Sequence, residues 1–275
     1  MKKVALITGA TGGLGRALAL EHVRHGGDVI LVARHAAKLQ ALSAELRRAA
    51  PGSQVASVVV DFTAANAAQQ VFAAVQALGW PVDYLINNAG FGGGGAFVTR
   101  STARDLAMVQ VNATVPTALL KLFLPGMVTR GHGRVLNVAS IATWFPGPEQ
   151  ATYFATKAYL AALSNALWYE LKPLGIRVTT LRSCPDRLRR VLPKAADPDP
   201  VVCAGHRGGS PNRRARRLCR AAGGKAPSDR RGDVVDALGG PLLSLVAETV
   251  GVGRDCGLTT APPVTAGRLE NNVKL

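Results

Sequence analysis

The chain has 275 residues, 48% of them hydrophobic, and a mean hydropathy of +0.15. That is enough apolar chain to bury the core of one α/β domain, and it excludes wholesale disorder. The net charge of +16 at pH 7 comes with no apolar run near the roughly 20 residues of a membrane span, and the four-residue run after Lys2-Lys3 is too short for a secretory signal, so a cytoplasmic protein without membrane partners is expected.

Residues 1–180 alternate strand-like and helix-like patterns at short intervals. Residues 4–8 form an apolar run of buried-strand length, and 14–25 read as a helix. A second strand follows at 29–33, then a helix at 36–49 stopped by Pro51-Gly52. A third strand is placed at 55–60, and a helix at 64–78 that ends at Gly79. Residues 84–86 give a fourth strand, a long helix follows Ser101, and 134–138 give a fifth strand. A helix at 151–172 closes at Pro173 and Gly175, and 176–180 give the sixth strand. Six strands with five crossovers predict a Rossmann-like, doubly wound parallel sheet in three α/β/α layers.

The first strand runs into Thr8-Gly9-Ala10-Thr11-Gly12-Gly13-Leu14-Gly15. Glycines at 9, 13 and 15 allow a tight turn, close approach of a pyrophosphate to backbone, and close helix packing. The helix opening there turns its free amides and positive dipole end toward phosphate. Strand before and helix after are the context that a dinucleotide site requires, which makes Gly9, Thr11, Gly12, Gly13, Leu14 and Gly15 its candidate residues. The end of the second strand reads Ala33-Arg34-His35 with Lys38 one turn on, and the next carboxylate is Glu45. A ribose-binding acid is missing where NAD sites place one, while Arg34 and Lys38 suit a 2′-phosphate, so NADP(H) is favoured over NAD(H).

Tyr153 and Lys157 stand four residues apart on one helix and share a face. Carbonyl reduction needs a proton donor at the developing alkoxide, and a free phenol near pKa ~10 is too weak an acid at neutral pH. An ammonium at ~4 Å, in an effective dielectric near 20, supplies the roughly 4 kcal/mol that brings it near 7. Ser140 follows the fifth strand and Asn112 lies within the long preceding helix, where a strand cap and a helix-interior polar residue satisfied by solvent are the ordinary readings of those two.

Together, Thr8 to Gly15, Asn87-Asn88-Ala89-Gly90, Asn112, Ser140 and Tyr153-x-x-x-Lys157 resemble the short-chain dehydrogenase/reductase family over about two thirds of the chain. The resemblance implies that Ser140 holds the substrate oxygen and that Lys157 also binds the nicotinamide ribose. It assigns Asn112 to a bound water relaying protons toward Lys157. Asp61 and Asn88 are placed about the adenine and ribose, with a plain helix cap as the rival role for Asp61, and Ala89 and Gly90 are counted among the cofactor-binding residues. It also implies a homo-oligomer built through the helices that carry Asn112 and Tyr153. Gly92 to Gly95 read as a flexible rim, and Trp144 and Phe145 as an apolar wall for substrate.

The strand–helix grammar stops near residue 181. Residues 181–275 hold all four cysteines (Cys184, Cys203, Cys219, Cys256) and no aromatic, Ile or Met. The cysteine spacing matches no zinc signature, so free thiols and no metal are expected. Only 234–252 regain a helical pattern. Where the family continues with Pro-Gly and a loop closing over the nicotinamide, this chain has Pro185-Asp186 and an arginine-rich stretch. Read from the third base of codon 183, the fixed bases of the next codons permit Leu-Pro-Gly-Pro-Thr-Ala-Thr, which resembles the family's continuation. A shifted reading frame would explain the composition of this atypical tail.

The function expected is an oxidoreductase of residues 1–180 that moves a hydride between nicotinamide and a small-molecule carbonyl or secondary alcohol. A cofactor-binding protein impaired in turnover, because the closing loop is lost, is the alternative. The run Arg213-Arg214-Ala215-Arg216-Arg217 could hold nucleic acid backbones, but without an aromatic to stack bases no nucleic-acid partner is expected.

Overall fold

β1 (Val4–Thr8) is buried on both faces, with Val4 and Leu6 in one core and Ala5 and Ile7 in the other, which is why its sequence is unbroken apolar rather than alternating. The computed structural model describes residues 2–144 and 146–183, apart from the Trp144 side chain. The tail with its cysteines, the arginine run and the helix read at 234–252 lies outside the described residues, as does the wall expected of Trp144 and Phe145.

The remaining strands are β2 (Asp28–Ala33), β3 (Val55–Val59), β4 (Val82–Asn87), β5 (Gly133–Ser140) and β6 (Ile176–Ser183). They pair in parallel in the order β3-β2-β1-β4-β5-β6, the doubly wound order that the sequence predicts. α1 (Gly13–Arg24) and α2 (Ala36–Ala49) pack their leucines onto one face of the sheet. The other face is covered by α3 (Ala67–Leu78), α5 (Val115–Thr129) and α6 (Ala151–Leu171). The reversal of strand order between β1 and β4 opens the crevice at the carboxyl ends of the strands.

Most boundaries shift from the sequence reading by one or two residues, and three elements depart further. α3 starts at Ala67 rather than at 64, because Asp61 accepts from Thr63 N and Oγ1, both at 2.9 Å, and holds that stretch in a turn. β6 runs on to Ser183 along the full length of β5. The long helix after Ser101 has two parts, α4 (Thr102–Val109) and α5, joined by a π turn (Gln110–Thr114).

This continuous stretch, Thr102–Thr129, also corrects the expectation that nothing here reaches membrane-span length. It is 28 residues long, its most apolar window has a mean hydropathy of 1.3, and half of that window is buried inside the fold. Scattered polar letters such as Asn112, Thr117 and Lys121 break the apolar run without lowering the average enough to exclude a span.

Candidate active site

The turn after β1 is shaped by backbone contacts. Gly9 has φ +62, and a Cβ there would lie 2.8 Å from Ala89 Cα. Gly12 N donates to Gly9 O at 3.0 Å, and a Cβ on Gly15 would sit 2.4 Å from that same carbonyl. The glycine spacing is therefore a packing requirement, with Leu14 buried behind it and Gly12 and Gly13 exposed at the mouth. No side chain caps α1 at Gly12, so its first amides remain available to an anion. Thr11 lies half-buried beside them.

Thr8 joins this turn to the loop after β4, a role the sequence reading missed. Its Oγ1 accepts from Asn88 N and Ala89 N, each at 3.0 Å, and donates to Ile86 O at 3.3 Å. Asn88 returns the contact, donating through Nδ2 to Thr8 O at 2.8 Å and Gly9 O at 3.1 Å. Its amide thus locks the glycine turn. A threonine ending an otherwise apolar buried strand was the available signal.

At the end of β2, Arg34 and Lys38 are both exposed. Arg34 lies near Asp61, whose carboxyl is held below its usual value first by the two Thr63 hydrogen bonds and then, more weakly, by Arg34 and His35. Asp61 is therefore spent on a local turn at the same edge of the crevice and does not cap α3, whose N-cap is Asn66, so the plain-cap reading is not met. Glu45, the first carboxylate after β2 in sequence, is gripped by Arg16 of α1, with Nε at 2.9 Å from Oε2. No acid competes with Arg34 from the first turn of α2.

At the other end of the crevice, Ser140 ends β5, while Tyr153 and Lys157 lie in the first two turns of α6. Ser140 Oγ accepts from Ala142 N at 3.2 Å, which leaves its proton for the Tyr153 hydroxyl, to which it is hydrogen-bonded. Burial raises the Tyr153 pKa above its ordinary value, and the Ser140 bond draws it only part of the way back. Burial also brings Lys157 down to about 8, and its Nζ donates to Val138 O at 2.7 Å. The expectation that Lys157 drags the phenol toward neutrality is therefore not met here. Both groups are desolvated, and at neutral pH Tyr153 is held as a protonated phenol.

Gly90 separates Lys157 from Asn112: a Cβ there would stand 3.2 Å from Lys157 Nζ and 3.1 Å from Asn112 Oδ1. Asn112 is 1% exposed and fully engaged, accepting from Phe91 N at 3.0 Å and donating to Phe91 O at 2.9 Å and Thr156 Oγ1 at 3.2 Å. Its side chain pins the loop after β4 to α6. Beneath it runs a buried chain that sequence reasoning also missed, from Asn87 Nδ2 to Asn137 Oδ1 and from Asn137 Nδ2 to Ser164 Oγ, each at 2.8 Å. The two asparagines face each other across β4 and β5, a pairing set by register alone.

The crevice therefore offers an uncapped helix start on a glycine-rich turn, a cation at the next strand end, and a half-buried phenol beside a buried hydroxyl and amine at the far end. These residues fit a phosphorylated dinucleotide with a reacting carbonyl beside it. A family model described as short chain dehydrogenase matches residues 3–185, ending close to the composition break. The very-long-chain 3-oxoacyl-CoA reductase of Mycosarcoma maydis is 33% identical over 181 residues, 65% of this chain and 52% of that protein, so the match spans about half of that relative. A solved short-chain dehydrogenase from Sphingobium yanoikuyae in complex with NADPH is 34% identical with a TM-score of 0.61, covering 65% of this chain and 69% of the other. A solved NAD+-bound xylitol dehydrogenase is 29% identical with a TM-score of 0.61, covering 74% of this chain and 82% of the other.

Proposed function

The chain belongs to the short-chain dehydrogenase family, and we propose that it is an NADP(H)-dependent oxidoreductase acting on a carbonyl or secondary alcohol. The observation that carries this reading is the half-buried Tyr153, its hydroxyl hydrogen-bonded to Ser140 and sharing the start of α6 with Lys157, in the crevice that the glycine turn opens. Bound across that crevice, the dinucleotide supplies the hydride.

In the reductive direction Tyr153 gives its proton to the oxygen that becomes an alkoxide. A phenol kept protonated by burial is in the right state for that at neutral pH, and oxidation calls for alkaline conditions that ionise it. Ser140 donates a hydrogen bond to the same oxygen as charge develops. Lys157, cationic below about pH 8, stabilises the phenolate left behind and replenishes it with a proton. Gly9, Thr11, Gly12, Gly13, Leu14 and Gly15 hold the pyrophosphate, with Asn88, Ala89 and Gly90 as the opposite wall. Arg34, aided by Lys38, pairs with a 2′-phosphate, which supports NADP(H) over NAD(H). The NADPH-bound neighbour supports the same choice, whereas the NAD+-bound one shows that the fold alone does not make it.

Self-association is part of the proposal. α6 turns Ala155, Ala158, Tyr159 and Ala162 outward, and α4 exposes Leu106 at 63% and Val109 at 38%, apolar groups suited to packing against a second copy. Light scattering on the purified chain tests this, a monomer overturning it. Out-of-frame translation beyond residue 180 is proposed for the tail, and codon third bases that cannot spell the alternative peptide overturn that.

The decisive experiment measures NADPH binding by fluorescence, then NADPH oxidation against ketones and a 3-oxoacyl thioester. Turnover that needs Tyr153 supports the reading. Tight binding with no turnover on any carbonyl overturns it in favour of a binding protein.

A further inference from the structure

The sequence marks residues 92–95 as a pliant glycine rim, but the structure braces them. A Cβ on Gly92 would lie 3.3 Å from Tyr153 Cδ2, so this backbone rests against the phenol ring. Arg100 reaches back over the same stretch: its Nη1 donates to Gly94 O at 2.8 Å, and a Cβ on Gly93 would meet its Nη2 at 2.9 Å. The guanidinium is gripped in turn by Asp105, with Nε at 3.0 and 3.2 Å from the two carboxylate oxygens and Nη2 at 2.5 Å from Oδ1. Asp105 also hydrogen-bonds the side chain of Thr152, the residue before Tyr153. One carboxylate thus ties the backbone lying on the ring to the helical turn that carries it.

The pair is well shielded, at 11% and 13% side-chain exposure. Shielded ion pairs are poor sources of stability, because desolvation offsets most of their attraction, and apolar replacements often do as well. A forked Arg–carboxylate contact instead supplies direction, fixing two planar groups in one relative orientation. Its neighbours point to what is oriented: Gly92 against the ring, and Gly95 N donating at 2.8 Å to Glu149 O, just ahead of α6.

We propose that Arg100 and Asp105 are positioning residues for Tyr153, clamping residues 92–95 against its ring and Thr152 behind it so that the hydroxyl is held toward Ser140. This rests on the reading of Tyr153 as the proton donor. A misplacement of about 1 Å at such a group lowers turnover by as much as about 100-fold, with little effect on cofactor affinity.

The test is fluorine NMR on protein labelled with 3-fluorotyrosine. The chain has four tyrosines, Tyr84, Tyr153, Tyr159 and Tyr169, and Tyr153→Phe assigns the relevant signal. In Asp105→Asn and Arg100→Ala, the Tyr153 resonance is expected to shift or broaden while the other three hold. In the same variants kcat falls about 10- to 100-fold with KM for NADPH within about twofold, and the double variant loses no more than the worse single one. Asp105→Glu, which keeps the carboxylate, recovers part of both. Gly93→Ala covers the case where those variants do not fold: its methyl displaces the guanidinium and moves the same resonance. A Tyr153 signal unmoved in every folded variant overturns the proposal, as does a shift shared equally by all four tyrosines. If the parent protein shows no turnover but the Tyr153 signal alone responds, the clamp stands and the oxidoreductase reading fails.

Discussion

The two ends of the crevice are held in shape by different physics. At the β1–α1 turn the determinants are steric: backbone atoms pack so closely at Gly9 and Gly15 that no side chain fits, and the Thr8 and Asn88 side chains fasten the turn with five hydrogen bonds to backbone groups. At the β5–α6 end they are electrostatic: a phenol and an amine are taken out of water, and both titrate away from their ordinary values. A steric site tolerates no added atom and is indifferent to pH. A desolvated site tolerates isosteres and changes with pH. The difference teaches that the binding end and the chemical end can be damaged separately.

The largest expected effect breaks the chemical end alone. Tyr153→Phe removes the proton donor and keeps the ring that Gly92 touches; kcat falls about 10³-fold while NADPH affinity measured by fluorescence stays within about twofold. Gly15→Ala breaks the other end. Its methyl has no space beside Gly9 O, so unfolding by urea shows a loss of about 2–3 kcal/mol and NADPH binding weakens with it.

Lys157→Met sharpens the contrast, since stability and activity then move in opposite directions. Relieving a buried amine whose pKa lies near 8 stabilises the fold at pH 7 by about 1–3 kcal/mol, raising the melting temperature while turnover is lost. The sign of the pH dependence follows from the lowered pKa. Between about 8 and the unfolded value near 10.4, the unfolded chain holds a proton that the folded one has released, so the parent gains stability with rising pH in that window. Lys157→Met lacks this rise, and denaturant melts at pH 7 and 10 compare the two. The smallest effect is Arg34→Ala, expected to weaken NADPH about tenfold and leave NADH unchanged, as read by initial rates with each cofactor.

Legibility from sequence divides along the same line. The glycine turn, the strand order and the joint presence of Ser140, Tyr153 and Lys157 could be read because each follows from local spacing or from hydrophobic period. Thr8, the Asn87–Asn137–Ser164 chain and the Arg100–Asp105 clamp could not, since their partners meet only once strands are in register and helices have packed. The direction of the Tyr153 shift was missed for a related reason: spacing places Lys157 on the same face but does not reveal how much water both groups lose. Asn112 was located correctly, yet the π turn around it and its hold on Phe91 depend on tertiary fit.

That π turn gives one helical rod two separate duties. α4, ahead of it, lies against α6, and α5, after it, lies against α3 and the sheet. A wide turn inserts the residue that rotates one half relative to the other by roughly 100°, so each half can bury its own stripe. Deleting a single residue from 110–114 would rewind the rod into regular α-helix. One stripe would then turn to solvent and Asn112 would leave Phe91, which makes this short span a place where length, more than residue identity, is under constraint.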